Sequence, residues 1–306
     1  MENKIPVFLF NGFLDSGKTT LIKEIIESEE AYHSFNTLII AFEDGEIEYG
    51  EQWKKENEVN VVIVVDDESL DELYFYELIK KYQPKQVVIE LNAFVNIEEI
   101  KFPRNFVVYQ NITLFDASKF ELYYNNMKPL INSMVQYSSL IVFNRCINNE
   151  NLAKYRRNIR VFNQRGEVAF ENEEGKLTTI LNEDLPFDIN ATHIILNDKD
   201  FPIWYLDVTE CFDKYQNKTI TFKAYIRDIT ENTLVVGRQI MTCCLDDIQF
   251  YGFECVTNQR FENNTYVEVT CVPVKQYSEI ANGNVIMLKG ILIKELPYVE
   301  EEYLEF

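Results

Sequence analysis

At 306 residues, with 46% apolar and 26% charged, the chain has room for two domains and is too apolar for a disordered polymer. Its 50 Asp and Glu outnumber 29 Lys and Arg, and the net charge of −21 disfavours nucleic acid and anionic membranes but tolerates metal cations. No apolar run approaches a membrane span and the start lacks a basic signal-peptide region, so the expectation is a cytoplasmic chain whose six Cys are free thiols or metal ligands.

Taken in order, Ile5 to Phe10 reads as a buried strand that runs into Gly12-Phe13-Leu14-Asp15-Ser16-Gly17-Lys18-Thr19. This is G-x-x-x-x-G-K-[ST], followed by a helix-like run from Leu21 to Glu30. Backbone N–H groups of such a loop hold phosphate oxygens, and the helix N-terminus adds its dipole. The candidate nucleotide-binding residues are Gly12, Asp15, Ser16, Gly17, Lys18, Thr19 and Thr20, with Lys18 reaching the β- and γ-phosphates and Thr19 ligating Mg²⁺.

Thr37 to Phe42 is a second strand ending at Glu43-Asp44-Gly45-Glu46, where α/β sheets place ligands. Val59 to Val65 is a third. Ser69-Leu70-Asp71-Glu72 reads as a capping box opening a helix to about Tyr82, with Leu70, Leu73, Tyr74 and Leu78 as its apolar face. Gln86 to Glu90 is a further strand, and Glu90 stands where an acidic residue serves Mg²⁺ or the attacking water. Phe106 to Asp116 and Leu140 to Asn144 are strands flanking a helix of about Lys119 to Tyr137. A helix starts at Asn149 to Tyr155, and 158 to 175 returns to strand character. Strands alternating with helices predict a mostly parallel sheet covered on both faces.

The order Gly-Phe-Leu-x-Ser-Gly-Lys-Thr-Thr, a strand ending in Glu, Leu-Phe-Asp-Ala and Val-Phe-Asn-Arg resembles the CobW-type GTPases, relatives of the UreG and HypB metallochaperones, over residues 5 to 175. Asn158 to Asn163 resembles the stretch that follows their base-recognition loop. The resemblance implies an NTP- and Mg²⁺-dependent switch handling a transition metal, with Thr19 and Glu43 or Glu90 serving Mg²⁺, Lys18 and Glu90 as catalytic candidates and Asn144 at the guanine-reading loop.

The chain departs from that pattern in several places. Asp15 replaces a glycine within the loop, setting a carboxylate beside the phosphates. The family's Asn-Lys-x-Asp is Asn144-Arg145-Cys146-Ile147, without the Asp that reads guanine, so GTP and ATP both stay open. The family's Cys-x-Cys-Cys motif has no counterpart in Asn60 to Val65, and the glycine expected shortly after Glu90 is missing from Leu91-Asn92-Ala93-Phe94.

Residues 175 to 190 are polar and mark the boundary between domains at 1–185 and 191–306. From Lys218 the pattern alternates with period two: Thr219 to Ile226, Leu234 to Thr242, Gln249 to Val256, Tyr266 to Val274 and Val285 to Lys294. This predicts a small antiparallel, OB-like β-barrel. Residues 215 to 306 carry 8 Lys and Arg against 13 Asp and Glu, which argues against nucleic-acid binding. Gly237, Arg238, Cys243, Cys244 and Asp247 follow a pattern that resembles the C-terminal domain of YcgQ-type proteins, putative subunits of YraQ-type permeases. Cys243, Cys244 and Asp246 are candidate ligands for a transition metal such as Zn²⁺, or the thiols have chemistry of their own. Cys255 and Cys271 read as core residues, and His33 and His193 as structural.

The sequence thus favours a GTP- or ATP-binding, Mg²⁺-dependent protein of low hydrolytic rate, coupled through its β domain to a permease-related or metal-handling partner. The rival is a non-catalytic adaptor whose cysteine-bearing domain does the binding.

Overall fold

The computed structural model describes residues 4–28, 36–42, 47–64, 71–147, 149–179, 185–230, 233–242, 245–278, 282–298 and 302–305. It divides into two units, Met1–Leu181 and Asn182–Phe306.

The first unit alternates strands and helices. β1 (Ile5–Gly12) leads through the phosphate loop into α1 (Lys18–Glu27). There follow β2 (Thr37–Ala41), α2 (Glu51–Glu56), β3 (Val59–Ile63), α3 (Glu72–Tyr82) and β4 (Gln86–Glu90). β5 (Phe106–Asp116), α4 (Phe120–Asn126), α5 (Lys128–Val135), β6 (Leu140–Asn144), α6 (Leu152–Phe162), β7 (Glu167–Glu171) and β8 (Leu177–Thr178) complete it. The sheet order is β3-β2-β4-β1-β5-β6-β7-β8, parallel throughout except for the antiparallel β7–β8 pair.

β1 is central, and its unbroken apolar sequence follows from burial on both faces. Val7 and Leu9 pack with Leu38, Ile40 and Phe75 on one face. Phe8 and Phe10 pack with Ile22, Ile39 and Val88 on the other. This places the C-terminal ends of β4, β1, β5 and β6 in a row beside the loop, the position at which open α/β sheets bind ligands.

Local details differ from expectation for identifiable reasons. The expected single helix over 119–137 is two: the chain leaves helical geometry at Met127, and Pro129 sits in the first turn of α5, where its missing N–H is harmless. Residues 158–162 are the end of α6 rather than strand, and Tyr155, Asn158 and Ile159 form its buried face. The alternation Ile159-Arg160-Val161 imitated period two. α3 is capped by Asp71, whose side chain accepts from Tyr74 N at 3.0 Å, and Ser69 lies outside the described residues. Its buried residues are Phe75 and Leu78, while Leu73 is exposed.

The second unit contains β9 (His193–Ile195), α7 (Phe201–Glu210), β10 (Thr219–Arg227), β11 (Thr233–Met241), β12 (Ile248–Val256), β13 (Tyr266–Ser278), β14 (Gly283–Glu295) and β15 (Leu304–Glu305). The expected all-antiparallel arrangement is not observed; the sheet is mixed. β12 and β14 run parallel, Cys255 facing Leu288, and so do β9–β10 and β11–β15. Alternation along a strand reports a buried face but not which strand lies beside it, so the sequence could not supply this. Pairings run β10–β11, β11–β12, β12–β14, β14–β13 and β13–β10, a closed ring.

α7 was not foreseen because its sequence, Phe201-Pro202-Ile203-Trp204-Tyr205-Leu206, is apolar without periodicity. It buries Trp204 against Phe201, Phe222 and Phe253. Among the described residues no helix is long and apolar enough to cross a membrane.

Trp204 fills the centre of the second unit's core and is fully buried. Trp204→Ala should destabilise this unit by about 3–5 kcal/mol, read as a lowered denaturant midpoint by far-ultraviolet circular dichroism of the full chain. An unchanged midpoint would contradict this packing.

Candidate functional site

The phosphate loop is built around two glycines that no other residue replaces. Gly12 has φ 147, and a Cβ there would lie 2.4 Å from the Leu114 carbonyl oxygen. Gly17 has φ 98, and its Cβ would lie 2.6 Å from Asn144 Nδ2. Asn11 Oδ1 accepts from Gly12 N at 2.7 Å and braces the turn. Lys18 is buried, its Nζ donating to the carbonyls of Gly12 at 3.0 Å and Phe13 at 2.9 Å. The ammonium is thus folded back over the loop, with carbonyl oxygens in the role that phosphate oxygens take in a loaded loop. Ser16 Oγ and Asn144 Oδ1 are buried with no hydrogen-bond partner among the described residues. Buried orphan polar atoms are costly, and two beside this loop fit a polar ligand.

At the start of α1, Thr19 Oγ1 donates to Glu90 Oε1 at 2.6 Å, and Tyr49 OH donates to Glu90 Oε2 at 2.6 Å. Glu90 is 2% exposed, and among the described residues these two hydroxyls are side-chain donors to its buried carboxylate, which needs such partners. Burial, and then the adjacent Glu90 charge, pushes the Tyr49 phenol far above its ordinary value, so it remains a donor. Thr19, Tyr49 and Glu90 line a cavity of about 290 Å³ that Glu48, Glu51 and Lys54 also border. Hydroxyl and carboxylate oxygens converging beside a phosphate loop are the donor set that suits Mg²⁺.

On the β6 side, Asn144 Nδ2 donates to Ser16 O at 2.7 Å and ties the loop to the strand end. Arg145, at φ 52, donates from Nη1 to Asp15 O at 3.1 Å and to Asp116 Oδ2 at 2.7 Å. Its backbone N–H donates to Glu171 Oε2 at 2.9 Å. Asp15 adopts φ 57, the conformation a glycine takes easily, and its side chain is exposed to solvent, which relieves the repulsion expected within the loop. A cavity of about 240 Å³ is bordered by Gly17, Thr20, Asn144, Arg145, Glu171 and Gly175, among others. Ile147, where the family pattern has Asp, is 61% exposed.

The structure therefore brings together Gly12, Asp15, Ser16, Gly17, Lys18, Thr19, Thr20, Glu90 and Asn144. Glu43, Cys243, Cys244 and His33 lie outside the described residues. Asp246 is exposed on a 3₁₀ turn, Leu245–Asp247. Among the described residues no group of three His, Cys, Asp or Glu could hold a metal ion. Cys255 and Cys271 are fully buried in the core of the second unit, and burial pushes the Cys255 thiol up to about 11 and that of Cys271 well above its usual value. His193 Nε2 meets Thr221 Oγ1 at 2.8 Å on β9. Asn163 is structural: its amide donates to Val135 O and Ser138 O and accepts from Gly166 N.

Sequence reasoning missed Tyr49, Asp116 and Glu171. Asp116 stood within the Leu-Phe-Asp-Ala stretch, a visible signal at a strand end. Tyr49 carried none, because nothing local links it to a strand 41 residues later.

Residues 6–170 match the family model described as CobW/HypB/UreG, nucleotide-binding domain, and residues 172–304 match the DUF1980 C-terminal domain. A search of curated proteins returns no match. Among solved structures, the hydrogenase maturation factor HypB from Archaeoglobus fulgidus is 16% identical, with 57% of this chain and 85% of that chain covered and a TM-score of 0.43. Zn(II)-bound YjiA GTPase from E. coli is 15% identical, with 94% and 89% covered and a TM-score of 0.41. HypB from Helicobacter pylori, in complex with nickel, is 10% identical, with 54% and 78% covered and a TM-score of 0.38.

Asp116 offers a test of the Arg145 clamp. Burial works to raise its pKa, but the hydrogen bonds from Ser118 and the Arg145 guanidinium outweigh burial and hold the carboxyl below its ordinary range. Its stabilising contribution is therefore complete above the unfolded value of about 3.9 and is lost as pH falls through the lower folded value. Asp116→Asn should flatten that acid limb of stability, measured as urea midpoint against pH between about 2 and 5. An acid limb identical to wild type would contradict the clamp.

Proposed function

The chain belongs to the CobW/HypB/UreG nucleotide-binding domain family, and we propose that it is a cytoplasmic nucleoside-triphosphate-binding, Mg²⁺-dependent switch with slow hydrolysis. The observation that carries this reading is the pairing of a phosphate loop closed by Lys18 with Thr19 and Glu90 joined at 2.6 Å beside it.

In this reading, loop N–H groups and the N-terminus of α1 hold the phosphates, and Lys18 exchanges its bonds to Gly12 O and Phe13 O for phosphate oxygens. Thr19 and Glu90 would hold Mg²⁺, which when bound neutralises charge on the terminal phosphates. Glu90 would also be the candidate for orienting the attacking water, with its carboxylate held by Tyr49. Glu43 is a further candidate on sequence alone.

The second unit would couple nucleotide state to a partner in metal or small-solute handling, for which the YcgQ-like pattern suggests a permease-related protein. The closed ring of β10, β11, β12, β14 and β13 supports an OB-like barrel as its frame. Cys243, Cys244 and Asp246 belong to the proposal as a transition-metal site on the chemistry of their side chains.

The test is titration of the full chain with fluorescent GTP and ATP in the presence of Mg²⁺. Wild type should bind at least one of them, and Lys18→Ala should weaken binding about tenfold or more. Absence of binding by wild type at high micromolar concentration would refute the switch and leave the non-catalytic adaptor.

A further inference from the structure

Two of the cavities described above border the phosphate loop. The one at Thr19 and Glu90 lies on the metal and terminal-phosphate side. The other meets the loop at Gly17 and Thr20, where the chain enters α1, and extends past Asn144 and Arg145 to Glu171 at the end of β7. With phosphates held by the loop, as proposed above, this second space would be the one left for the sugar and base.

The space is rich in hydrogen-bond acceptors. Glu171 is half-buried, and its carboxylate is oriented through Oε2 by the Arg145 backbone N–H at 2.9 Å. Asn144, which borders the same cavity, has a buried Oδ1 with no partner among the described residues. A guanine edge offers adjacent N–H donors at N1 and the 2-amino group, which one carboxylate accepts together. Adenine offers a donor at its 6-amino group but an acceptor at N1, which a carboxylate repels. Meanwhile Ile147 supplies no carboxylate and is mostly exposed.

We infer that Glu171 reads the nucleobase, supplying from the end of β7 the carboxylate that position 147 lacks, and makes the site selective for guanine. This rests on the nucleotide-switch reading above. Glu24 also borders the cavity but is exposed on α1, and among the described residues no backbone N–H orients its carboxylate as that of Arg145 orients Glu171. Arg145 acts as a positioning residue: one N–H orients Glu171 while its guanidinium holds the loop carbonyl of Asp15. Loop closure and base reading are therefore joined through one residue.

The experiment is titration of the full chain with mant-labelled GTP, ATP and XTP, Mg²⁺ present, for wild type, Glu171→Gln, Glu171→Ala and Glu24→Gln. Wild type should prefer GTP to ATP by about tenfold or more. Glu171→Gln should lose about 10- to 100-fold in GTP affinity and gain affinity for XTP, whose 2-carbonyl accepts from the new amide. That gain separates base reading from structural damage, which would weaken all three nucleotides together. Glu171→Ala should lose the preference for GTP without gaining XTP. Equal binding of GTP and ATP by wild type, an unchanged GTP-to-ATP ratio in Glu171→Gln, or a switch to XTP in Glu24→Gln would overturn Glu171 as the reader while leaving nucleotide binding intact. No binding of any nucleotide by wild type would overturn the switch and this inference with it.

Discussion

A buried carboxylate at the end of a central strand is the constraint on which the first unit depends. Glu90 is 2% exposed, and a charge so placed persists only when donors surround it. One donor, Thr19, comes from the first turn of α1; the other, Tyr49, comes from the segment leading into α2. Three separate parts of the chain are thereby held in register by one acidic group. Removing either donor weakens the hold on a buried carboxylate, so this contact also holds the fold together.

The opposite flank of the loop is fixed by neutral and charged contacts from β6. Asn144 bonds Ser16 O and Arg145 bonds Asp15 O, tethering the loop to residues some 130 positions later in the chain. Lys18 completes the closure from within by bonding two loop carbonyls. A loop braced from three directions is preorganised, and a phosphate has to replace only the ammonium's contacts rather than assemble the loop itself.

Much of this was legible because local chemistry dictates it. Gly12 and Gly17 announce positive φ, Lys18 and Thr19 stand at fixed spacing, and continuous apolar runs mark strands buried on both faces. Asp15 shows the limit: its identity suggested electrostatic conflict, yet a left-handed backbone turns the side chain to solvent. Contacts between distant segments, such as Tyr49 with Glu90 or Glu171 with Arg145, leave no periodic trace. The same reason hid the parallel β12–β14 pairing, since a residue pattern records exposure and not the identity of a neighbour, while α7 opens on an apolar run without helical periodicity.

The ring of pairings in the second unit bears on how it is made. β10, β11 and β12 follow one another and can pair as they emerge during synthesis, but β12 finds its second, parallel partner only in β14, and β10 a further antiparallel one in β13. Until those strands exist, the nascent meander presents unsatisfied backbone edges on both sides. Its assembly is thus governed by non-local closure, the slow kind, and the interval between translation of β12 and of β14 is when the chain is most exposed to wrong partners.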